Sequence, residues 1–129
     1  APLMPHCILE YSANLDESID IPVLLKTLSA AAVETELFPL AGIRCRAHRC
    51  EHFLIADGNP NFGFLHLQIK IGAGRSDEAK KQAADSIFEA LNAFLQPLSD
   101  RQGLAISFEM SELPAILKYN KNNLRDYLP

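Results

Sequence analysis

The sequence predicts an α+β two-layer sandwich: a four-stranded mixed sheet with two helices on one face. Two observations carry that prediction. The order strand–helix–strand occurs twice, across residues 5–49 and 62–110, with the dense turn signal Asp57-Gly58-Asn59-Pro60 between the two units. Each strand also alternates apolar and polar residues, so one side of each faces a core and the other does not. A third observation bounds the assembly. At 129 residues the chain has the length of one domain, read as 5–129 with a tail over 111–129. A domain this small buries about two thirds of its unfolded surface, which makes partner subunits useful.

The elements follow in order. Pro5 to Ser12 is short and β-compatible and runs into a polar stretch, so it is a strand. Asp20 just ahead of Pro22 marks a helix start, and the apolar period continues through Leu24, Leu28 and Val33. Phe38 to Gly42 ends that helix, and Ile43 to His48 alternates as a half-buried strand. After the turn, Phe64 to Ile71 places Leu65, Leu67, Ile69 and Ile71 on one face. Ser76, followed by Asp77 and Glu78, reads as an N-cap with an acidic first turn. Ala84, Ile87, Phe88, Leu91, Phe94 and Leu95 then recur at helical spacing until Gln96-Pro97, where proline is expected to stop the helix. Gly103 to Met110 is the fourth strand, and Asn120 to Leu128 is expected to form one short helix.

With both helices on one face, the other face of the sheet is left uncovered. Alternation puts Arg44, Arg46 and His48 there, together with His66, Gln68 and Lys70. Self-association is the economical way to cover it.

Composition removes several function classes. Twelve Lys plus Arg against sixteen Asp plus Glu give a net charge of −4, without the basic footprint of a general nucleic-acid binder. No apolar run approaches the roughly 18 residues of a spanning helix, so no membrane partner is expected. Three cysteines do not form a disulfide framework, and the reading is reduced thiols in a cytoplasmic protein. No P-loop, dinucleotide fingerprint, nucleophile elbow or zincin motif is present. Cys45, His48 and Cys50 are near one another in sequence, but on an extended strand Cys45 points opposite to the other two, so no metal is expected there. His6, His52 and His66 are read as structural groups.

Arginine placement is more informative. Of six arginines, three fall between Arg44 and Arg49, and Arg75 stands at the start of the second helix. Guanidinium groups stay charged and grip carboxylates in bidentate fashion. An acidic chain that concentrates them locally suits a small anionic ligand. Arg49 reads equally well as solvated surface charge.

The stretches Met4-Pro5-His6, Phe38-Pro39-Leu40-Ala41-Gly42-Ile43-Arg44 and Lys70-Ile71-Gly72-Ala73-Gly74-Arg75-Ser76 resemble the 5-carboxymethyl-2-hydroxymuconate isomerase family of the tautomerase superfamily. Ser107-Phe108-Glu109 and Lys121-Asn122-Asn123 agree in order and spacing, so the resemblance runs from Met4 to about Leu128. It implies the duplicated β-α-β fold of macrophage migration inhibitory factor and a homotrimer with sites between subunits. It also implies a cofactor-free isomerisation of a dienol polycarboxylate from 4-hydroxyphenylacetate (homoprotocatechuate) breakdown. Pro5 is implied as the general base, with Arg44 and Arg75 binding the substrate and Arg46 in reserve. An amide nitrogen is not a base, so this reading takes residues 1–4 as an N-terminal extension plus initiator Met and Pro5 as the mature terminus. Two alternatives stay open: a tautomerase of another small carboxylate, and a non-catalytic trimeric binding module in which Pro5 is internal.

Overall fold

A computed structural model describes residues 5–129. The segment read as an extension plus initiator Met, 1–4, lies outside the described residues. The chain forms β1 (His6–Ser12), α1 (Ile21–Glu34), β2 (Arg44–Cys50), β3 (Gly63–Ile71), α2 (Asp77–Ser99) and β4 (Leu104–Glu112). The strands make one sheet in the order β2-β1-β3-β4. β1 runs parallel to β2 and antiparallel to β3, and β3 runs parallel to β4. This is the four-stranded mixed sheet with two helices that the repeated element order predicts.

Local chemistry sets the helix starts. The Asp20 carboxylate accepts the Val23 N–H at 3.2 Å, and the Ser76 hydroxyl accepts the Ala79 N–H at 3.1 Å. Each satisfies an amide that the first helical turn leaves free. The core lies between the sheet and the helix pair. Cys7, Leu9 and Tyr11 of β1 and Leu65, Leu67, Ile69 and Ile71 of β3 meet Leu24 and Leu28 of α1 and Ile87, Leu91 and Leu95 of α2. The inward apolar side chains of β3, Leu65, Leu67, Ile69 and Ile71, are all fully buried, matching the clean alternation in the sequence.

Two expectations are corrected. The second helix does not stop at Gln96-Pro97 but runs through Pro97 to Ser99. Proline removes one helical hydrogen bond, yet Leu98 continues the buried stripe of Leu91 and Leu95, and the Asp100 N–H reaches the Gln96 carbonyl at 3.0 Å. Burial of a leucine outweighs one missing bond in a last turn. The C-terminal helix expected over Asn120 to Leu128 is only a 3₁₀ turn, Leu124–Tyr127. No residue of that turn is buried, so nothing packs a longer helix into place. The Asn122 side chain instead donates to the Ala41 carbonyl at 2.8 Å and accepts the Leu124 N–H at 2.8 Å. One smaller shift concerns α2, where Ala83 rather than Ala84 takes the buried position.

Leu67 is fully buried on β3 and stands opposite Leu9 and Phe108 in the neighbouring strands. Leu67→Ala is expected to lower the unfolding free energy by about 2–5 kcal/mol, and Ile116→Ala, on the exposed tail, by less than about 0.5 kcal/mol. Urea titration followed by circular dichroism checks both. Equal small losses would mean that the core is not centred on β3.

Candidate functional site

The register determines which side chains stand together. His6 is opposite Arg44 on one side and Lys70 on the other, and Lys70 is opposite Ser111. Arg44, His6, Lys70 and Ser111 therefore form one row across the sheet on the face turned away from the helices. The next row is Arg46, Ile8, Gln68 and Glu109. The third contains His48, Glu10, His66 and Ser107, where the His66 ring lies 2.6 Å from Ser107 Oγ and 3.1 Å from Glu109 Oε1 and ties β3 to β4. Positive charge is concentrated in the first two rows, at the end where β1 and β2 begin and β3 and β4 finish.

Pro5 sits at that end. Its ring is fully buried, and its carbonyl accepts the Arg44 N–H at 3.2 Å. His6 follows, with Nε2 3.4 Å from an Arg44 guanidinium nitrogen and Nδ1 3.2 Å from one of Arg46. Burial, and then the charges of Arg44, Arg46 and Lys70, hold the imidazole below its ordinary pKa. A neutral imidazole has one acceptor nitrogen, and guanidinium groups only donate. One of the two His6 contacts therefore sets donor against donor. Arg44 Nε is buried and has no hydrogen-bond partner among the described residues. Among the described residues no carboxylate forms an ion pair with Arg44, Arg46 or Lys70. A buried unpartnered donor beside uncompensated cations is the electrostatic outline of an anion site.

The tail closes one side of this site. The Leu113 N–H bonds the Ile71 carbonyl at 2.7 Å, and the chain then runs past His6 and Arg44, leaving a cleft of about 440 Å³ between them and the segment from Leu113 to Lys121. Lys118 and Lys121 line it. The sequence reads His6 as a structural group and gives the tail a short helix over Asn120 to Leu128, without placing it over the site. The strand alternation that placed Arg44 on the open face also predicts His6 beside it. Lys121 belongs to a stretch that carries the family resemblance, but nothing local places either lysine at the cleft, because their position depends on how the tail folds back.

The other arginines separate clearly. Arg46 shares the open face with Arg44 and reaches His6, as its spacing predicts. Arg75 is exposed in the loop between Ile71 and the α2 cap, at the same end of the sheet, but it does not line the cleft of its own chain. The loop turns at Gly74, whose φ of +112° disfavours any residue with a Cβ. Arg49 is committed elsewhere, paired with Asp16 and with Glu51 at 3.6 Å. The N-terminus of α2 is also locally satisfied by Ser76, and nearby Lys80 bridges Asp77 at 3.2 Å and Glu112 at 3.3 Å. Cys45 faces the helix layer opposite Cys7, while His48 and Cys50 fall on the other side of β2. Hydrogen bonding to Cys45 and burial keep the Cys7 thiol protonated.

Fold and site together define an α+β protein of tautomerase-like fold with a candidate anion site. The fold recurs in the macrophage migration inhibitory factor-like protein from Entamoeba histolytica, with a TM-score of 0.64 at 14% identity, covering 91% of this chain and 96% of that one. The profile of the 5-carboxymethyl-2-hydroxymuconate isomerase family matches residues 5–128, and the chain belongs to that family. It is similar to the 5-carboxymethyl-2-hydroxymuconate Delta-isomerase of Escherichia coli, 40% identical over 121 residues, 94% of this chain and 96% of the relative. The crystal structure of a 5-carboxymethyl-2-hydroxymuconate isomerase from Deinococcus radiodurans R1 superposes with a TM-score of 0.89 at 39% identity, covering 98% of this chain and 96% of that one.

The His6 environment has a pH consequence. A histidine whose folded pKa lies below the unfolded value of 6.5 takes up its proton more readily in the unfolded chain. Its contribution to stability is complete above pH 6.5 and is lost as pH falls from there toward the folded pKa. His6→Gln is expected to remove that part of the acid destabilisation, read as a flatter dependence of the urea midpoint on pH below 6.5. Unchanged slopes would show that neither burial nor the neighbouring cations depress the pKa of this ring.

Proposed function

We propose that this isomerase converts 5-carboxymethyl-2-hydroxymuconate to its conjugated keto isomer in 4-hydroxyphenylacetate (homoprotocatechuate) degradation, with Pro5 as general base. The observation that carries the reading is the unpartnered Arg44 Nε among uncompensated cations, in the residue whose backbone N–H bonds the Pro5 carbonyl. The names of the Escherichia coli and Deinococcus radiodurans relatives support the choice of substrate.

The chemistry is a proton relocation. Pro5 nitrogen takes the enol O–H proton, electron density spreads along the conjugated system to a distal carbon, and the same nitrogen returns the proton there. The O–H bond breaks, a C–H bond forms, and atoms and charge balance without an oxidant. A base and fixed cations suffice for this, so no metal or organic cofactor is assigned. The nitrogen is basic only as a terminal secondary amine, so the reading requires a chain that begins at Pro5. Nearby positive charge and burial lower the pKa of such an amine and leave its lone pair free near neutral pH. Arg44 holds one carboxylate and stabilises the dienolate charge as it develops. Arg46 stands behind it on the same face. Arg75 is assigned to substrate binding across a subunit boundary, consistent with its exposure and its absence from the cleft of its own chain. The assembly proposed is a homotrimer in the cytoplasm, with the open sheet face as its natural contact. No helix among the described residues is long and apolar enough to cross a membrane.

An ultraviolet assay of dienol loss tests the base, using protein that begins at Pro5. Pro5→Gly keeps a terminal amine but loses the ring, and a large fall in kcat with some residual turnover is expected. Matching rates for the two proteins would remove Pro5 from the mechanism.

Arg75→Ala is expected to lower kcat/KM by the 1.5–3 kcal/mol typical of a lost charged hydrogen bond, about ten- to 150-fold. Arg49→Ala, which breaks only the pairs with Asp16 and Glu51, should leave kcat/KM within about twofold. Equal losses would mean that the anion site has been misplaced.

A further inference from the structure

We infer that the tail from Leu113 to Lys121 is the specificity wall of this site, and that Lys118 and Lys121 select a substrate bearing a third carboxylate. The inference rests on the proposed dienol isomerisation and deepens it.

Four observations carry it. First, His6 and Arg44 contribute one side of the cleft and the tail contributes the other, and none of the described residues lining it is acidic. Arg44, Lys118 and Lys121 thus face one space without a counter-charge. The cleft between α2 and β4 is the contrast, since Lys80 there is neutralised on both sides by Asp77 and Glu112. Second, neither Lys118 nor Lys121 makes an ion pair among the described residues, although Lys118 is half-buried. Third, the segment is fastened at both ends, by the Leu113 N–H on the Ile71 carbonyl and by the Asn122 amide on the Ala41 carbonyl. A nine-residue stretch without helix or strand is held in place over the site rather than trailing from it. Fourth, Leu113 and Leu117 put apolar surface into the same wall, which suits the carbon chain between charged groups.

The division of labour follows from the donors. A guanidinium fork occupied by one carboxylate cannot grip a second in the same way, so each further carboxylate needs its own cation. Arg44, beside Pro5, serves the reacting end. The lysines are flexible point charges on the far wall, suited to counting charge more than to aligning orbitals. A tricarboxylate fills this arrangement, and a dicarboxylate leaves the lysines unmatched.

The test compares two substrates on protein beginning at Pro5. In a Lys118→Ala, Lys121→Ala double variant, kcat/KM for 5-carboxymethyl-2-hydroxymuconate is expected to fall at least tenfold. For 2-hydroxymuconate, a dicarboxylate, it should stay within twofold. Lys118→Arg with Lys121→Arg keeps the charge and should retain the wild-type preference. Parallel loss on both substrates, or no loss on either, overturns the assignment.

Calorimetric titration separates this result from failure of the isomerase reading. Wild-type protein should bind propane-1,2,3-tricarboxylate more tightly than glutarate, and the double alanine variant should lose that preference. If wild type turns over neither dienol but this preference vanishes in the variant, the wall stands and the reaction assignment falls. A preference unchanged in the variant, or absent from wild type, overturns the wall itself.

Discussion

Uncompensated positive charge at the start of two parallel strands is the constraint around which this molecule is organised. Arg44, His6, Arg46 and Lys70 are brought together by register, and no carboxylate of the described chain pairs with any of the three full charges. Like charges at these spacings repel, and a buried donor without an acceptor costs about 1–3 kcal/mol. The fold tolerates that cost because the apolar core lies on the opposite side of the same strands. Leu9, Leu65, Leu67 and Ile69 hold the backbone in place while the open face carries the strain.

His6 is the keystone of the cluster. Its ring has one nitrogen near each of two guanidinium groups, and it adds no charge between them, since its surroundings favour the neutral ring. An arriving carboxylate meets donors that are already oriented and have few competing acceptors. Positioning established before binding is the condition under which electrostatic stabilisation of a developing enolate is most effective. Arg44 is also tied directly to Pro5, whose carbonyl accepts its backbone N–H, so in the proposed reaction the anion-gripping residue is bonded to the base's own residue.

The fold was legible in the sequence wherever a period ran uninterrupted. The alternation through Leu65, Leu67, Ile69 and Ile71 located β3 and its buried face, and Asp20 and Ser76 located both helix starts. Pro97 misled, because a single-residue rule about proline yielded to the burial of Leu98. The tail misled for a related reason: side-chain bonds from Asn122 to a distant carbonyl set its path, and no local propensity encodes them. Of the site, Arg44 and Arg46 could be placed from strand parity alone. Lys118 and Lys121 could not, since they reach the cleft only through a chain reversal fastened to Ile71 and Ala41.

The strict parity of β2 limits how a chain of this kind can change in length. One residue inserted just ahead of Arg44 and taking its place opposite His6 would rotate both guanidinium groups into the leucine layer and turn Cys45 and Ala47 outward. The stretch 51–60 is mostly exposed and carries no strand pairing, so it can lengthen or shorten without touching that parity. The joint between the two halves is therefore one place where length can vary without disturbing the site. The short run from Gly42 to Arg44 is effectively a fixed ruler.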